Sequence, residues 1–263
     1  YVGDLDGKVY CVNAANGNSI WNFSTGETID TAVNFDGKQV LVTSQNGVLY
    51  SLNAKDGKEI WHYDSKDQLR CFPSIIGRYV LLGGCNSQLI VVHLDSGKQV
   101  QTIDIKAPTG STAAIGGKLA FLGTEGRTFW AIDYISGKVA WQYQAEKRPS
   151  AFRSSAAVTD STIFVGSRDK RLHAIDRASG DAKWLFATKG KIDGSPIVLN
   201  DVVYFGSDDG RLYAVDTKEG KELWHFELGG TVLGSPAFVK DRLVVATDDG
   251  RVICFVKSPD AKP

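Results

Sequence analysis

The sequence predicts an all-β fold, a seven-bladed β-propeller of four-stranded antiparallel blades, and three observations predict it. A phrase recurs about every 40 residues, apolar residues alternate with period two inside each copy, and the links are tight turns rich in Gly and Asp. A fixed period of this length marks a repeat architecture. Alternation marks half-buried strands. Asp-Gly and Asn-Gly links supply the positive φ that hairpins require. Four antiparallel strands per unit describe a propeller blade. Eight blades, one of them lost, is the alternative count.

The period is carried by tryptophan. Trp21, Trp61, Trp141, Trp184 and Trp224 form the series, Gln101 fills its one vacancy, and Gly17, Gly57, Gly97, Gly137, Gly180 and Gly220 stand four residues before each position. Only the step from Trp141 to Trp184 is longer, by three residues. One unit reads as a first strand over Gly194 to Leu199, a second over Val202 to Gly206, a third over Arg211 to Val215 and a fourth over Glu222 to Phe226. Second and third strands occur seven times, from YVG at Tyr1 and KVYCV at Lys8 to LVVAT at Leu243 and RVICF at Arg251, whereas first and fourth strands occur six times. The expectation is a single domain over 1–263 that starts at the second strand of one blade and ends at the third strand of another. A lost segment of roughly 20 residues before Tyr1 would supply the absent strands and close the ring.

Composition narrows the functional classes. The chain has 263 residues with 30 Lys and Arg against 30 Asp and Glu, so no net field draws it to nucleic acid or an anionic membrane. No run approaches the length of a membrane-spanning helix, so no direct membrane insertion is expected, and a monomer is expected. Four cysteines fit neither a disulfide-dense scaffold nor a C-x-x-C motif.

Ala214, Asp216, Gly220, Lys221, Glu222 and Trp224 match the tryptophan-docking motif A-x-D-x-x-T-G-K-E-x-x-W, with Glu219 in place of Thr, and GSP precedes the first strand at Gly194 to Pro196 and Gly234 to Pro236. On these residues the chain resembles the pyrroloquinoline quinone (PQQ)-like repeat propellers. That family joins quinoprotein alcohol dehydrogenases to non-enzymatic scaffolds resembling the outer-membrane assembly lipoprotein BamB. The resemblance implies that Trp21, Trp61, Trp141, Trp184 and Trp224 dock one blade against the next, and an indole N–H there can reach a neighbouring carbonyl. The blade with His93 at the Asp position and Gln101 at the Trp position is expected to pack worst, with His93 structural rather than a ligand.

A dehydrogenase of that family would need an indole floor for the quinone, a calcium site, a catalytic Asp and, often, adjacent cysteines. The chain has no Cys-Cys pair, and Asp4-Leu5-Asp6-Gly7 recurs as SQNG, SDDG and TDDG, which makes it a hairpin turn rather than a calcium loop. No catalytic, metal or cofactor residue is assigned, and the chain is expected to be non-catalytic.

A site belongs where repeats differ. Asp30, Arg70, Gly110, Arg153, Asp193 and Leu233 share the position leading into each innermost strand. Arg70 and Arg153 either receive a carboxylate or acidic peptide, or pair with Asp30, Asp193 or Glu125 across the mouth, or are merely solvated. The three extra residues lie in QAEKRPSAFR, Gln144 to Arg153, where Lys147, Arg148, Phe152 and Arg153 are expected to form a contact loop. Trp130 is either a binding aromatic or a buried blade residue. Cys71 and Cys85 either bridge or stand as two reduced thiols, while Cys11 and Cys254 are expected to be reduced and buried. The functional expectation is a scaffold binding a protein or peptide at the loop face, exported to the periplasm or cell surface, in envelope or outer-membrane protein assembly. The alternatives are a quinoprotein dehydrogenase binding PQQ and calcium, and a ligand-sensing domain of a larger receptor or kinase.

Overall fold

The computed structural model describes residues 1–256, and every regular element among them is a β-strand. Blade one holds β1 (Val2–Gly3), β2 (Lys8–Val12) and β3 (Ser19–Ser24). Blade two holds β4 (Asn34–Phe35), β5 (Gln39–Thr43), β6 (Val48–Asn53) and β7 (Glu59–Asp64); blade three holds β8 (Ser74–Ile76), β9 (Tyr79–Gly83), β10 (Gln88–His93) and β11 (Gln99–Asp104). Blade four holds β12 (Ala114–Gly116), β13 (Leu119–Gly123), β14 (Phe129–Asp133) and β15 (Val139–Tyr143); blade five holds β16 (Ala157–Val158), β17 (Thr162–Ser167), β18 (Arg171–Asp176) and β19 (Ala182–Ala187). Blade six holds β20 (Ile197–Leu199), β21 (Val202–Ser207), β22 (Arg211–Asp216) and β23 (Glu222–Glu227), and blade seven holds β24 (Ala237–Val239), β25 (Arg242–Ala246) and β26 (Val252–Val256). Each blade is one sheet with strands in chain order, so the fold is the seven-bladed propeller read from the repeat.

Turn chemistry explains the hairpins. Between third and fourth strands, the side chain of Asp133, Asp176 or Asp216 accepts the N–H two residues on, as do Asn13 and Asn53, at 2.8–3.0 Å. These are Asx turns. His93 does the same in blade three, where its Nδ1 accepts the Asp95 N–H at 3.3 Å. Between second and third strands Gly7, Gly47, Gly210 and Gly250 take positive φ, and Ser87, Arg127 and Lys170 are held there too at φ 59–68.

The chain divides into two compact units, Tyr1–Gly126 with Ile132–Ala140, and Arg127–Ala131 with Trp141 onward. In the first, Leu41, Leu49, Val80, Leu82, Ile90 and Val92 make a core shared by blades two and three. In the second, Phe164, Leu172, Val203, Phe205 and Val215 do so for blades five and six. Large apolar side chains from successive blades therefore supply the cohesion.

The tryptophans seat one blade on the next. Trp21, Trp61, Trp141 and Trp184 donate their indole N–H to the carbonyls of Ala54, Leu94, Arg177 and Thr217 at 3.0–3.1 Å. Each ring lies against the positive-φ glycine of the following turn, namely Gly57, Gly97, Gly180 and Gly220. A Cβ at Gly57, Gly180 or Gly220 would come within 2.6–2.7 Å of the ring. Gln101 takes the same seat, with its amide over Gly137. The interior of its blade is fully buried, with Val80, Leu82, Ile90 and Val92 at 0–1 % exposure, so the departure from Trp is confined to the outer seat. Trp224 is 38 % exposed, and the seat that the repeat assigns to it, Lys257 to Asp260, lies outside the described residues.

Cys254 corrects an expectation. Cys11 is buried beside Trp21 in the neighbouring strand β3, but Cys254 is exposed. It stands on β26, the outer strand of a three-stranded sheet, where no fourth strand covers it among the described residues.

Candidate functional site

The turn joining second and third strands is tied to the loop that leads into the first strand. The N–H groups of Gln45, Cys85, Arg168 and Asp208 donate to the carbonyls of Thr28, Gln68, Ala151 and Lys191 at 2.9–3.1 Å. Each blade thereby sets a turn residue beside a lead-in residue. The next residue in the loop is clipped to the end of the second strand. Ser111 Oγ bonds both the N–H and the carbonyl of Gly123 at 3.0 Å, Ser154 Oγ accepts the Gly166 N–H at 3.2 Å, and Thr31 Oγ1 meets Thr43 Oγ1 at 2.9 Å.

Cys71 performs this hydroxyl's task. Its Sγ donates to the Gly83 carbonyl at 2.9 Å and accepts the Gly83 N–H at 2.8 Å. Cys85 faces Gln68 instead, with its Sγ 4.0 Å from Oε1. The two cysteines are therefore offset along the strands and are free thiols rather than a disulfide. Burial pushes the Cys71 thiol up to about 12, so it is no nucleophile at neutral pH.

In the first unit, Asp30 accepts from Gln45 Nε2 at 2.7 Å and Arg70 donates to Gln68 Oε1 at 2.9 Å. Neither pairs with the other. In the second unit Asp193 pairs with Arg168, through Nη2–Oδ2 at 2.7 Å and Nε–Oδ1 at 3.0 Å. Arg153 is exposed at the lead-in position. Beside the Arg168–Asp193 pair, Asp208 Oδ1 is buried without a hydrogen-bond partner. Burial, and then the negative charge of Asp193, hold the Asp208 carboxyl above its usual range.

The loop from Gln144 to Arg153 divides its residues between anchoring and display. Phe152 is 1 % exposed, which overturns its assignment to the contact surface. Its ring packs on Phe129, Tyr143 and His173 with centroids at 5.8, 6.1 and 5.3 Å. Gln144 Nε2 donates to Thr128 Oγ1 at 2.7 Å, holding the start of the loop. Lys147 and Arg148 are exposed, Arg148 at φ 56. Loop and blade five enclose a cleft of about 540 Å³ lined by Tyr143, Glu146, Lys147, Arg171, Asp181 and Leu185 among others. Trp130 is buried at 4 % exposure with its indole N–H unpartnered, so of its two readings the blade residue holds.

Sequence reasoning missed His173. Its side chain and that of Asp169 are both fully buried. Nε2 lies 3.1 Å from Asp169 Oδ1 and Nδ1 lies 2.9 Å from Tyr143 Oη. Burial, followed by the charge of Asp169, pushes the Tyr143 phenol up to about 12. The signal was present in the repeat. SRDKRLHAI stands where SDDGRLYAV does, and Tyr213 there donates to Asp209 at 2.9 Å. His173 is a histidine version of a structural bond.

The residues do not fit a quinone over calcium. Among the described residues no three His, Cys, Asp or Glu side chains come together to hold a metal. The indoles of Trp21, Trp61, Trp141 and Trp184 are committed to blade seats, and that of Trp130 is buried.

The family profile described as outer membrane protein assembly factor BamB matches residues 1–114, 70–185 and 148–258. The chain belongs to the BamB family. Its overlapping matches reflect the repeat, since one profile fits the blades in several registers. BamB from Moraxella catarrhalis superposes with a TM-score of 0.82 at 17 % identity, over 96 % of this chain and 80 % of that one. The computationally designed Ika8 protein superposes at 0.87 with 15 % identity, over 97 % and 79 %. At such identities the likeness shows the fold alone. In all, 1660 chains of solved structures match, so this shape by itself selects no partner. No curated protein matches the chain. What distinguishes this BamB-family chain is therefore its own turn and loop residues.

Proposed function

We propose that this BamB-family chain works as one propeller, a non-catalytic scaffold in the cell envelope that binds a protein or peptide partner during outer-membrane protein assembly. The binding face is the turn and lead-in side of the second unit, displayed by Lys147, Arg148 and Arg153. One observation carries the reading. The repeated residues are consumed by seats, caps and clips, whereas the charged residues that break the repeat gather beside turns that are already rigid. A rigid scaffold presenting charged, locally specialised loops is suited to recognition rather than to bond-making.

Photo-crosslinking tests this. A photoreactive residue replacing Arg148 or Arg153 is expected to trap an envelope protein, and one replacing Ile60 on the outer strand β7 is not. Trapping only from Ile60 would refute the binding face. Incubation with PQQ and calcium is expected to leave no quinone absorbance on the purified protein; stoichiometric bound quinone would overturn the non-catalytic reading.

A further inference from the structure

Arg171 and Arg211 hold the same place in successive repeats, opening the third strands β18 and β22. Arg211 stands in register with Glu227 and pairs with it at 2.6 Å. The register partner of Arg171 is Ala187, so the cross-strand carboxylate of blade six has no counterpart in blade five, and Arg171 is ion-paired through Nη1 with the buried Asp169 at 3.5 Å instead. Arg171 Nη1 makes two long contacts, at 3.4 Å to the Lys147 carbonyl and 3.5 Å to Asp169 Oδ2. Its Nε and Nη2 make no hydrogen bond among the described residues. The guanidinium lines the cleft beneath the Gln144 to Arg153 loop. Glu146 and Asp181 line the same cleft, and neither forms an ion pair with Arg171 among the described residues.

The Nε–Nη2 edge of the guanidinium, left without a partner among the described residues, matches a planar carboxylate, which it can bind through two parallel hydrogen bonds. Exposed Lys147 and Arg148 at the rim favour the approach of negative charge. Phosphate would also suit the fork, but Glu146 and Asp181 disfavour a multiply charged anion. We infer that Arg171 is a carboxylate-binding subsite, and that the cleft between β15 and β19 takes an Asp or Glu side chain of an extended partner segment in the role Glu227 plays in blade six. The inference rests on the protein-partner reading and adds the chemistry of one contact.

The probe is a fluorescent peptide of alternating Thr and Glu, with a Thr-Gln peptide and free glutarate as controls, followed by anisotropy at low salt. The Glu peptide is expected to bind the wild type and the Gln peptide not. R171Q is expected to weaken binding at least about tenfold. A187E, which supplies the carboxylate internally, is expected to do the same while raising the melting temperature, so a folding defect in R171Q would not blur the result. R211Q is expected to bind as the wild type does. Absence of binding to the wild type, or equal affinity for A187E and wild type, overturns the subsite. Glutarate binding more tightly than the peptide overturns its assignment to a partner's side chain. If crosslinking from Arg153 persists while the subsite fails, the scaffold reading survives without it.

Discussion

Replacing Gly220 by Ala separates two costs that the structure makes distinct. Gly220 has φ 70 and Gly17 has φ 74, so Ala at either position suffers the same left-handed backbone penalty, about 1–2 kcal/mol before the smaller gain from a stiffer unfolded chain. The surroundings differ. A Cβ at Gly17 meets nothing within 4 Å, whereas at Gly220 it would lie 2.6 Å from the Trp184 ring. The ring must move, which costs about 1–3 kcal/mol as overpacking and strains its 3.1 Å bond to the Thr217 carbonyl. G220A should therefore be destabilised by about 1–3 kcal/mol more than G17A. In a chain of this size each kcal/mol lowers the melting temperature by about 2–4 °C, so fluorescence-monitored melts resolve the difference. In a Trp184→Ala background the excess should vanish, because the two side chains no longer meet. Equal destabilisation by G220A and G17A, or an excess that survives Trp184→Ala, would refute the seat.

Cys71→Ala strands the Gly83 N–H and carbonyl and should cost about 1–3 kcal/mol, whereas Cys71→Ser, restoring the hydroxyl found at Ser111 and Ser154, should stay within about 1 kcal/mol of the wild type by urea unfolding. In native protein at pH 8, iodoacetamide should label Cys254 readily and Cys71 only after unfolding; rapid Cys71 labelling would contradict its burial. Asp208 has its folded-state pKa raised by burial and then by Asp193, so stability is lost as pH rises from the ordinary carboxylate value through the folded one. Asp208→Asn should accordingly melt higher than the wild type at pH 7 and converge with it in acid, and a difference that persists in acid would point to another cause.

Much of the fold could be read from the sequence because each structural device is local and repeated. The Asp of the third-to-fourth turn, its Gly and the Trp that sits on the next such Gly are all visible as spacing, and so the strand count follows. The site was less visible because side-chain direction depends on neighbours far along the chain. Phe152 lies among Lys147, Arg148 and Arg153 and reads as part of a displayed loop, yet the blade interior supplies three rings for it to join. Cys71 and Cys85 look opposite one another until the clip at Ser111 and Ser154 is compared, which assigns Cys71 a hydroxyl's partners. His173 drew no notice because a histidine in a tyrosine's place leaves the alternation intact. Cys254 follows the repeat in sequence, but its burial elsewhere depends on a fourth strand that β26 lacks among the described residues.

The claim that packing residues and binding residues are separable is tested most directly by capture of the partner trapped from position 148, measured per folded molecule. The double variant Lys147→Glu/Arg148→Glu should lose capture while its melting temperature stays within about 2 °C of the wild type, since both side chains are exposed. Trp61→Ala should melt well below the wild type and retain capture. Undiminished capture by the charge-reversed protein, or loss of capture per folded molecule in Trp61→Ala, would contradict the account.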